Sequence, residues 1–275
     1  MNNILLSIVP CLLIVSINGG LLSPGIETDP EVTMDVNEVI KYYGYPLETH
    51  QVTTEDGYIL TMQRIPYGRT SSPGIKKPVV FLQHGLLDSS FTWVNNGPEK
   101  SLAFILADRG FDVWLGNSRG NTYSRKHTKF SPFSKFFWDF TWDEMAQFDL
   151  PASINYALTV SKADKLGYIG HSQSHLSNKF QKFDYGFFMN KLKYNQITPP
   201  QYPLDTHGLP VAMFYGGNDW MAVKEDVTRA IGELGQNVKL IKFIPEYNHI
   251  DFIWGANAYT KIYPDVIDFL LKYNN

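Results

Sequence analysis

A serine in a Gly-x-Ser-x-Ser pattern is the position of this 275-residue chain whose surroundings most clearly indicate chemistry. Ser172 lies in the segment Gly170-His171-Ser172-Gln173-Ser174, directly after the apolar run Leu166–Ile169. A serine on a sharp turn between a strand and a helix is typical of a nucleophile elbow, whose usual pattern is Gly-x-Ser-x-Gly. Ser174 stands where the second glycine is usual. Ser172 is therefore a candidate nucleophile, and the alternative is an ordinary turn between a strand and a helix.

A serine nucleophile needs a base that takes its proton and an acid that orients the base. Asp219 follows the run Val211–Tyr215 after a turn with two glycines, and His249 follows the run Val238–Ile244. The chain order serine, aspartate, histidine is the order of α/β-hydrolases. The sequence therefore predicts a triad with His249 as base and Asp219 as acid, and Asp251 is the competing carboxylate.

Two backbone N–H groups are needed to stabilise the oxyanion of a tetrahedral intermediate. In α/β-hydrolases one belongs to the residue after the nucleophile, which is Gln173 here, and the other lies in the turn after an earlier strand. The segment His84-Gly85-Leu86-Leu87 follows the apolar run Val79–Gln83, so Leu86 is the second candidate donor. The alternative for His84-Gly85 is a plain turn that ends a strand.

Strand and helix signals alternate along the chain, and the elements that they predict would position these residues. Apolar runs predict strands at Val79–Gln83, Phe111–Leu115, Leu166–Ile169, Val211–Tyr215 and Val238–Ile244, after a hairpin within 50–65. Helices are predicted at Val36–Tyr43, Ser101–Arg109, Trp142–Val160 with a boundary or kink at Pro151, Lys224–Leu234 and Pro264–Lys272. Such alternation predicts an α/β fold with a mainly parallel sheet and helices on both faces. Sites in these sheets lie at the carboxyl ends of the strands.

The N-terminus carries an apolar run, Ile4–Ile17, followed by Gly19 and Gly20. This run is shorter than the ~20 residues that a membrane span needs, and small residues after it are typical of a cleavage site. We therefore expect a signal peptide over residues 1–20, with an uncleaved anchor as the alternative. Residues 21–275 would form the hydrolase domain, without an integral membrane span, in a secreted protein or in the lysosomal lumen.

Composition excludes several classes of function. The net charge is -3, with both signs scattered along the chain, and nucleic-acid binding needs a basic face. The sequence has no HExxH motif and no Cys or His cluster with the spacing of metal ligands, so we expect no metal. Gly-x-Gly-x-x-Gly and P-loop patterns are also missing, and we expect no cofactor. Aromatic residues make up 15%, which fits either apolar substrates or an aromatic-rich core.

At these residues the sequence resembles the acid lipase family, that of the gastric and lysosomal acid lipases. The matching segments are residues 54–60 (TEDGYIL), 83–87 (QHGLL), 112–122 (DVWLGNSRGNT), 143–145 (DEM), 149–152 (DLPA), 170–173 (GHSQ), 216–219 (GGND) and 248–254 (NHIDFIW). The resemblance covers nearly the whole mature chain. It implies hydrolysis of triacylglycerol or cholesteryl esters, and it supports the triad and both oxyanion donors named above. We also expect peripheral contact with a lipid surface.

The chain departs from the family between Ser172 and Asp219. The family carries a helix, a further sheet strand and a large cap domain there, whereas this chain has only residues 173–218. The segment 176–186 resembles the family sequence that follows the cap, so we interpret residues 173–210 as a reduced remnant of the cap region. Without the strand, the sheet must close a gap or leave backbone groups unpaired. An uncorrected gap would displace Asp219 and His249 from Ser172 by about one strand spacing, ~4.8 Å.

Two hypotheses follow for the function. The first is an active lipase or esterase with a reduced cap, based on the triad and the oxyanion turn. The second is a catalytically impaired or inactive shortened isoform that binds lipid or folds poorly, based on the missing strand, the missing cap and Ser174. A purely structural interaction module is a third class, and it rests only on the aromatic stretch Phe130–Trp142.

Overall fold

A computed structural model describes residues 30–71, 73, 76–172, 180–204 and 206–274 of the chain. Residues 34–275 form one compact unit. Residues 1–33 form a second unit, of which the structure describes only the last residues, with a 3₁₀ turn at Pro30–Val32. The signal peptide predicted over residues 1–20 lies outside the described residues.

The elements follow the alternation predicted from the sequence. The strands are β1 (Glu48–Thr53), β2 (Tyr58–Ile65), β3 (Val79–Gln83), β4 (Asp112–Leu115), β5 (Lys126–His127), β6 (Gly167–Gly170), β7 (Val211–Gly216) and β8 (Val238–Ile244). The α-helices are α1 (Val36–Tyr42), α2 (Leu102–Asp108), α3 (Trp142–Glu144), α4 (Leu150–Ser161), α5 (Phe187–Tyr194), α6 (Lys224–Leu234), α7 (Asp251–Trp254), α8 (Ala258–Lys261) and α9 (Tyr263–Asn274). Short 3₁₀ helices lie at Ser90–Trp93, Lys135–Trp138 and Gly235–Asn237.

The larger sheet has the strand order β1-β2-β4-β3-β6, and β5 also pairs with β2. The strands β4, β3 and β6 are parallel to one another, whereas β2 runs antiparallel to β1, β4 and β5. The sheet is therefore mixed, because the predicted hairpin adds its two strands in antiparallel fashion. Its parallel half carries Ser172 at the end of β6.

Helices cover both faces of this sheet, as the sequence predicts. Strand β3 is fully buried, and its alternate side chains point to opposite faces. Val80 and Leu82 pack in the core cluster that contains residues of α1, α2 and α9, whereas Phe81 packs with Trp114 and Ala157 of α4.

Strands β7 and β8 pair in parallel with each other and form a separate two-stranded sheet. In the part of the chain that the structure describes, no strand pairs with both β6 and β7. Without the missing strand, the sheet was expected either to close the gap or to leave backbone groups unpaired. The structure thus has the second arrangement, in which the gap between β6 and β7 stays open. Helices α7 to α9 connect the two sheets instead, and Lys242 of β8 donates to Asp265 of α9 through a short hydrogen bond. Trp254 Nε1 donates to Thr92 Oγ1 at 2.8 Å, and Asn274 Nδ2 donates to the carbonyl of Val79 at 2.7 Å.

Two helical segments differ from the sequence prediction. The single helix predicted over Trp142–Val160 is divided, because a π-helical turn at Met145–Asp149 separates α3 from α4. Pro151 lies in the first turn of α4, where its missing N–H costs nothing. Helix α5 was not predicted. Asn190 is its only buried residue, so it lacks the apolar periodicity by which sequence patterns reveal helices.

Arg119 is the largest fully buried charged side chain among the described residues. Its guanidinium donates to Asp56 in the β1–β2 turn and to Asp149 before α4, and it stacks on Tyr58 with Cζ 3.9 Å from the ring centroid. Burial opposes ionisation of Asp56, but hydrogen bonds from Arg119 and Thr54 outweigh it, and the pKa of Asp56 is lowered. For the more deeply buried Asp149, burial outweighs the same guanidinium, and its pKa is raised.

We expect Arg119→Ala to lower the free energy of unfolding by about 3–5 kcal/mol, because it leaves two carboxylates next to each other without their cation. Arg229→Ala is the matched control. It breaks a partly exposed ion pair with Asp226 on α6 and should cost less than about 1 kcal/mol. Urea denaturation followed by circular dichroism measures both. Equal losses of unfolding free energy in the two variants would contradict the conclusion that the buried ion pairs of Arg119 stabilise the fold.

Candidate active site

Ser172 follows the carboxyl end of β6 in a strained backbone conformation. Its φ is +53°, in the left-handed region that residues other than glycine rarely adopt. The strand ends at Gly170, and the N–H of His171 still donates to the carbonyl of Gln83 at 3.1 Å. The backbone bends at His171 and Ser172, directly after the strand. This is the backbone geometry expected of a nucleophile elbow.

The turns after β7 and β8 interlock through close backbone contacts. A Cβ on Gly216 would lie 2.1 Å from the carbonyl oxygen of Tyr247, and one on Gly217 would lie 2.3 Å from that of Pro245. Only glycine permits this approach. The N–H of Asn218 donates to the same Tyr247 carbonyl at 2.9 Å. The two turns therefore form one unit, which carries the next polar side chains of the site.

Asp219 and His249 project from this unit and meet Ser172. His249 Nε2 lies 2.7 Å from Ser172 Oγ, and His249 Nδ1 lies 3.0 Å from Asp219 Oδ2. Because a carboxylate only accepts, this contact places the ring hydrogen on Nδ1 and leaves Nε2 as the acceptor for the serine hydroxyl. The structure therefore brings the three residues predicted for the triad into hydrogen-bonding contact.

Asp219 is itself fixed by the backbone. It is 7% exposed, and its second oxygen, Oδ1, accepts from the N–H groups of Met221 and Ala222 at 2.9 and 2.8 Å. Asp251, the competing carboxylate, has a different contact. It accepts from the N–H of Asn248 at 2.8 Å and thereby stabilises the turn that carries His249. The geometry favours Asp219 as the partner of the imidazole.

His171 makes a contact in the site that was not predicted from the sequence. Its Nε2 lies 3.0 Å from the backbone carbonyl oxygen of His249, and the two ring centroids are 5.0 Å apart. Burial lowers the pKa of His171, although its hydrogen bond to the carbonyl of His249 opposes that shift. The neutral ring donates to the carbonyl and so links the Ser172 turn directly to the His249 turn. Its place beside the candidate nucleophile was the only signal in the sequence.

The turn predicted to hold an oxyanion donor lies against Ser172. A Cβ on Gly85 would be 2.7 Å from Ser172 Cβ, so the residue before Leu86 must be glycine for this approach. The buried His84 supports the turn: its Nδ1 donates to the carbonyl of Gly85 at 2.7 Å, and its Nε2 accepts from the N–H of Ser118 at 3.1 Å. Gln173, the other predicted donor, lies outside the described residues.

A cavity of about 1200 Å³ opens beside Ser172. This volume exceeds the ~300–1,000 Å³ of typical ligand pockets. Its lining is rich in large apolar and aromatic side chains, namely Trp138, Phe140, Trp142, Met145, Tyr168, Phe180, Tyr202 and Met221. The site can therefore receive a long apolar group next to the serine hydroxyl.

Within the described ranges, no group of three or more His, Cys, Asp or Glu side chains could hold a metal ion. Nor does any helix of the described residues have the length and hydropathy needed to cross a membrane.

Comparisons with known proteins identify the fold. A family profile described as a partial alpha/beta-hydrolase lipase region matches residues 36–97, and one described as the alpha/beta hydrolase fold matches residues 78–173. Among solved structures, an esterase from Pyrococcus furiosus superposes with a TM-score of 0.57 at 15% identity, over 86% of this chain and 96% of that chain. These two findings confirm the predicted α/β-hydrolase fold.

Relatives of known name match most of the chain. Gastric triacylglycerol lipase of Rattus norvegicus is 32% identical over 378 residues, which cover 92% of this chain and 95% of the relative. Lysosomal acid lipase/cholesteryl ester hydrolase of Homo sapiens is 33% identical over 397 residues, which cover 98% of each chain. Both alignments are longer than the 275 residues of this chain, so each relative carries residues without a counterpart here.

The buried histidines of the site predict a loss of stability in acid. Burial lowers the pKa of His84 below its ordinary 6.5, so the unfolded chain binds more protons than the folded protein once the pH falls below about 6.5. The free energy of unfolding therefore has its full value above that pH. It decreases as the pH falls, by up to about 1.4 kcal/mol per pH unit for each such group.

We expect His84→Gln to make this pH dependence shallower, because the amide does not titrate. Urea denaturation at several pH values between about 7 and 5 measures the slope. His127→Gln, in the short strand β5, is the control for a general effect of removing a histidine. A slope that does not change in His84→Gln would contradict the prediction.

Proposed function

Because the chain belongs to the family of the gastric and lysosomal acid lipases, we propose that it is a serine ester hydrolase acting on lipid esters of the triacylglycerol or cholesteryl ester class. The observation that carries the proposal is the contact of 2.7 Å between Ser172 Oγ and His249 Nε2. A serine hydroxyl is a poor nucleophile until a base accepts its proton, and this contact supplies the base.

In the proposed reaction, Ser172 Oγ attacks the ester carbonyl carbon while His249 Nε2 takes the hydroxyl proton. Asp219 holds the imidazole in the required tautomer and stabilises the imidazolium that forms. When the tetrahedral intermediate collapses, the bond to the alcohol oxygen breaks and His249 returns the proton to the leaving alcohol. Water, deprotonated by His249, then attacks the carbonyl carbon of the acyl-enzyme. As the bond to Ser172 Oγ breaks, His249 gives this proton to Oγ, and the fatty acid leaves.

Negative charge develops on the former carbonyl oxygen during both halves of the reaction. We assign its stabilisation to the N–H groups of Leu86 and Gln173. The close approach of Gly85 to Ser172 supports Leu86, and the position of Gln173 after the nucleophile is the support for the second donor. Loss of one such donor typically lowers turnover by ~10²–10³.

The cavity supports a lipid ester as substrate. Its aromatic lining beside Ser172 offers a surface for an acyl chain, and its volume of about 1200 Å³ leaves room for more than a short acid. We further propose peripheral contact with a lipid surface, and a secreted or lysosomal location reached through the signal peptide at residues 1–20. The hydrolase domain would span residues 21–275, with residues 173–210 as the remnant of the cap region.

A catalytically impaired or inactive shortened form is the second candidate. It is favoured by one observation: among the residues that the structure describes, no strand links β6 of the larger sheet to β7 of the smaller one. The two candidates differ in whether Ser172 is reactive in the folded protein.

We expect a fluorophosphonate probe to label the wild type and not Ser172→Ala. Asp219→Asn should lower kcat for a soluble ester by about 10⁴, because the imidazole loses its orienting carboxylate. Asp251→Asn is the matched control and should lower kcat by about threefold or less, because its amide oxygen can still accept from Asn248.

Wild-type protein that shows a cooperative thermal transition, but neither reacts with the probe nor hydrolyses the ester, would support the inactive form. A larger loss in Asp251→Asn than in Asp219→Asn would overturn the assignment of the acid.

A further inference from the structure

The loop of residues 180–204 forms one wall of the cavity beside Ser172. Its two ends pair with each other: the N–H of Lys182 donates to the carbonyl of Pro200, and the N–H of Tyr202 donates to that of Phe180, both at 2.9 Å. The rings of Phe180 and Tyr202 lie 5.3 Å apart, centroid to centroid, and both line the cavity. The loop is thus closed at its base, and its base faces the site.

One carboxylate holds this loop at three points. Asp143 accepts from the N–H of Phe183 at 3.2 Å, from the hydroxyl of Tyr194 at 3.0 Å, and from the hydroxyl of Tyr202 through a short hydrogen bond. These donors come from the first part of the loop, from the end of helix α5 and from the returning chain. A single side chain therefore fixes the beginning, the middle and the end of the loop.

The segment that carries Asp143 is itself well fixed. Helix α3 begins with a capping box in which Thr141 accepts from the backbone of α3 and Glu144 accepts from the N–H of Thr141 at 2.7 Å. Trp142, the residue before Asp143, lines the cavity and packs edge-on against Phe183 with ring centroids 4.8 Å apart. Asp143, which anchors the loop, and Trp142, which lines the cavity, thus belong to the same short helix.

Helix α5 adds no buried apolar side chain that would help to place the loop. In helix α5 the side chains of Phe187, Phe188 and Leu192 are exposed, and only Asn190 is buried. Asn190 bonds within the loop, to Asp184 and to the carbonyl of Ile197. Because no apolar face of α5 is buried, the loop is held by the contact of Phe183 with Trp142 and by polar contacts, of which Asp143 supplies three.

We propose that Asp143 is a positioning residue that holds the 180–204 loop as the acyl-chain wall, and that this wall makes the enzyme prefer long-chain over short-chain esters. The inference rests on the proposed ester hydrolase function. Each further methylene that the wall removes from water strengthens binding by about fourfold. A loop that moves away from the cavity would therefore reduce the use of long chains far more than that of short ones.

The first experiment compares kcat/KM for p-nitrophenyl palmitate and p-nitrophenyl butyrate. Asp143→Ala should lower the long-to-short ratio by about tenfold, mainly through a higher KM for palmitate, because three hydrogen bonds to one charged group are lost. Tyr194→Phe and Tyr202→Phe each remove one of these bonds and should lower the ratio less. Tyr42→Phe, an exposed position on α1, is the matched control and should not change it.

A second experiment measures binding without turnover. In a Ser172→Ala background, titration with a fluorescent long-chain fatty acid gives Kd, and Asp143→Ala should raise it by about tenfold. If the wild type hydrolyses no ester but this Kd still rises, the proposed function fails and the acyl-chain wall stands.

An unchanged ratio and an unchanged Kd in folded Asp143→Ala would overturn the proposal. If this variant shows no cooperative thermal transition, the double variant Tyr194→Phe with Tyr202→Phe decides by the same two measurements, since it keeps the carboxylate and both rings. A lower kcat for both esters in equal proportion would show a purely structural role and would also overturn it.

Discussion

The hydrogen bond between Ser172 and His249 joins two sheets that share no strand pairing in the described chain. In an unbroken parallel sheet, the ladder itself would set the distance between the ends of β6 and β8. Here that distance depends on helices α7 to α9 and on the contact of His171 with the carbonyl of His249. Displacements of ~1 Å can cost ~10² in rate. The polar contacts of these turns and helices must therefore fix the distance between Ser172 and His249, which backbone pairing fixes in an unbroken sheet.

Much of the site could be predicted from the sequence because its residues follow buried strands. Ser172, Asp219 and His249 each stand just beyond an apolar run, and the runs matched strands β6, β7 and β8 closely. The glycines at 216 and 217 are also explained by local geometry, since the backbone of the β8 turn approaches them too closely for a side chain. Local pattern and chain order were sufficient for these positions.

Other features depend on contacts between distant parts of the chain. The role of Asp143 arises from donors 40, 51 and 59 residues away, and no pattern around Asp143 indicates them. Helix α5 could not be predicted from apolar periodicity, because its only buried residue is Asn190. Whether the sheet would close or remain open was also undecided in the sequence, since the answer lies in how the C-terminal helices pack on the larger sheet.

The positive φ of Ser172 has a consequence for the evolution of the chain. A left-handed conformation costs a residue with a side chain about 1–2 kcal/mol that glycine does not lose. Glycine at this position would remove that cost, but it would also remove the hydroxyl that contacts His249. The backbone at position 172 thus favours glycine and only the hydroxyl favours serine, so a relative that does not hydrolyse esters could carry glycine there.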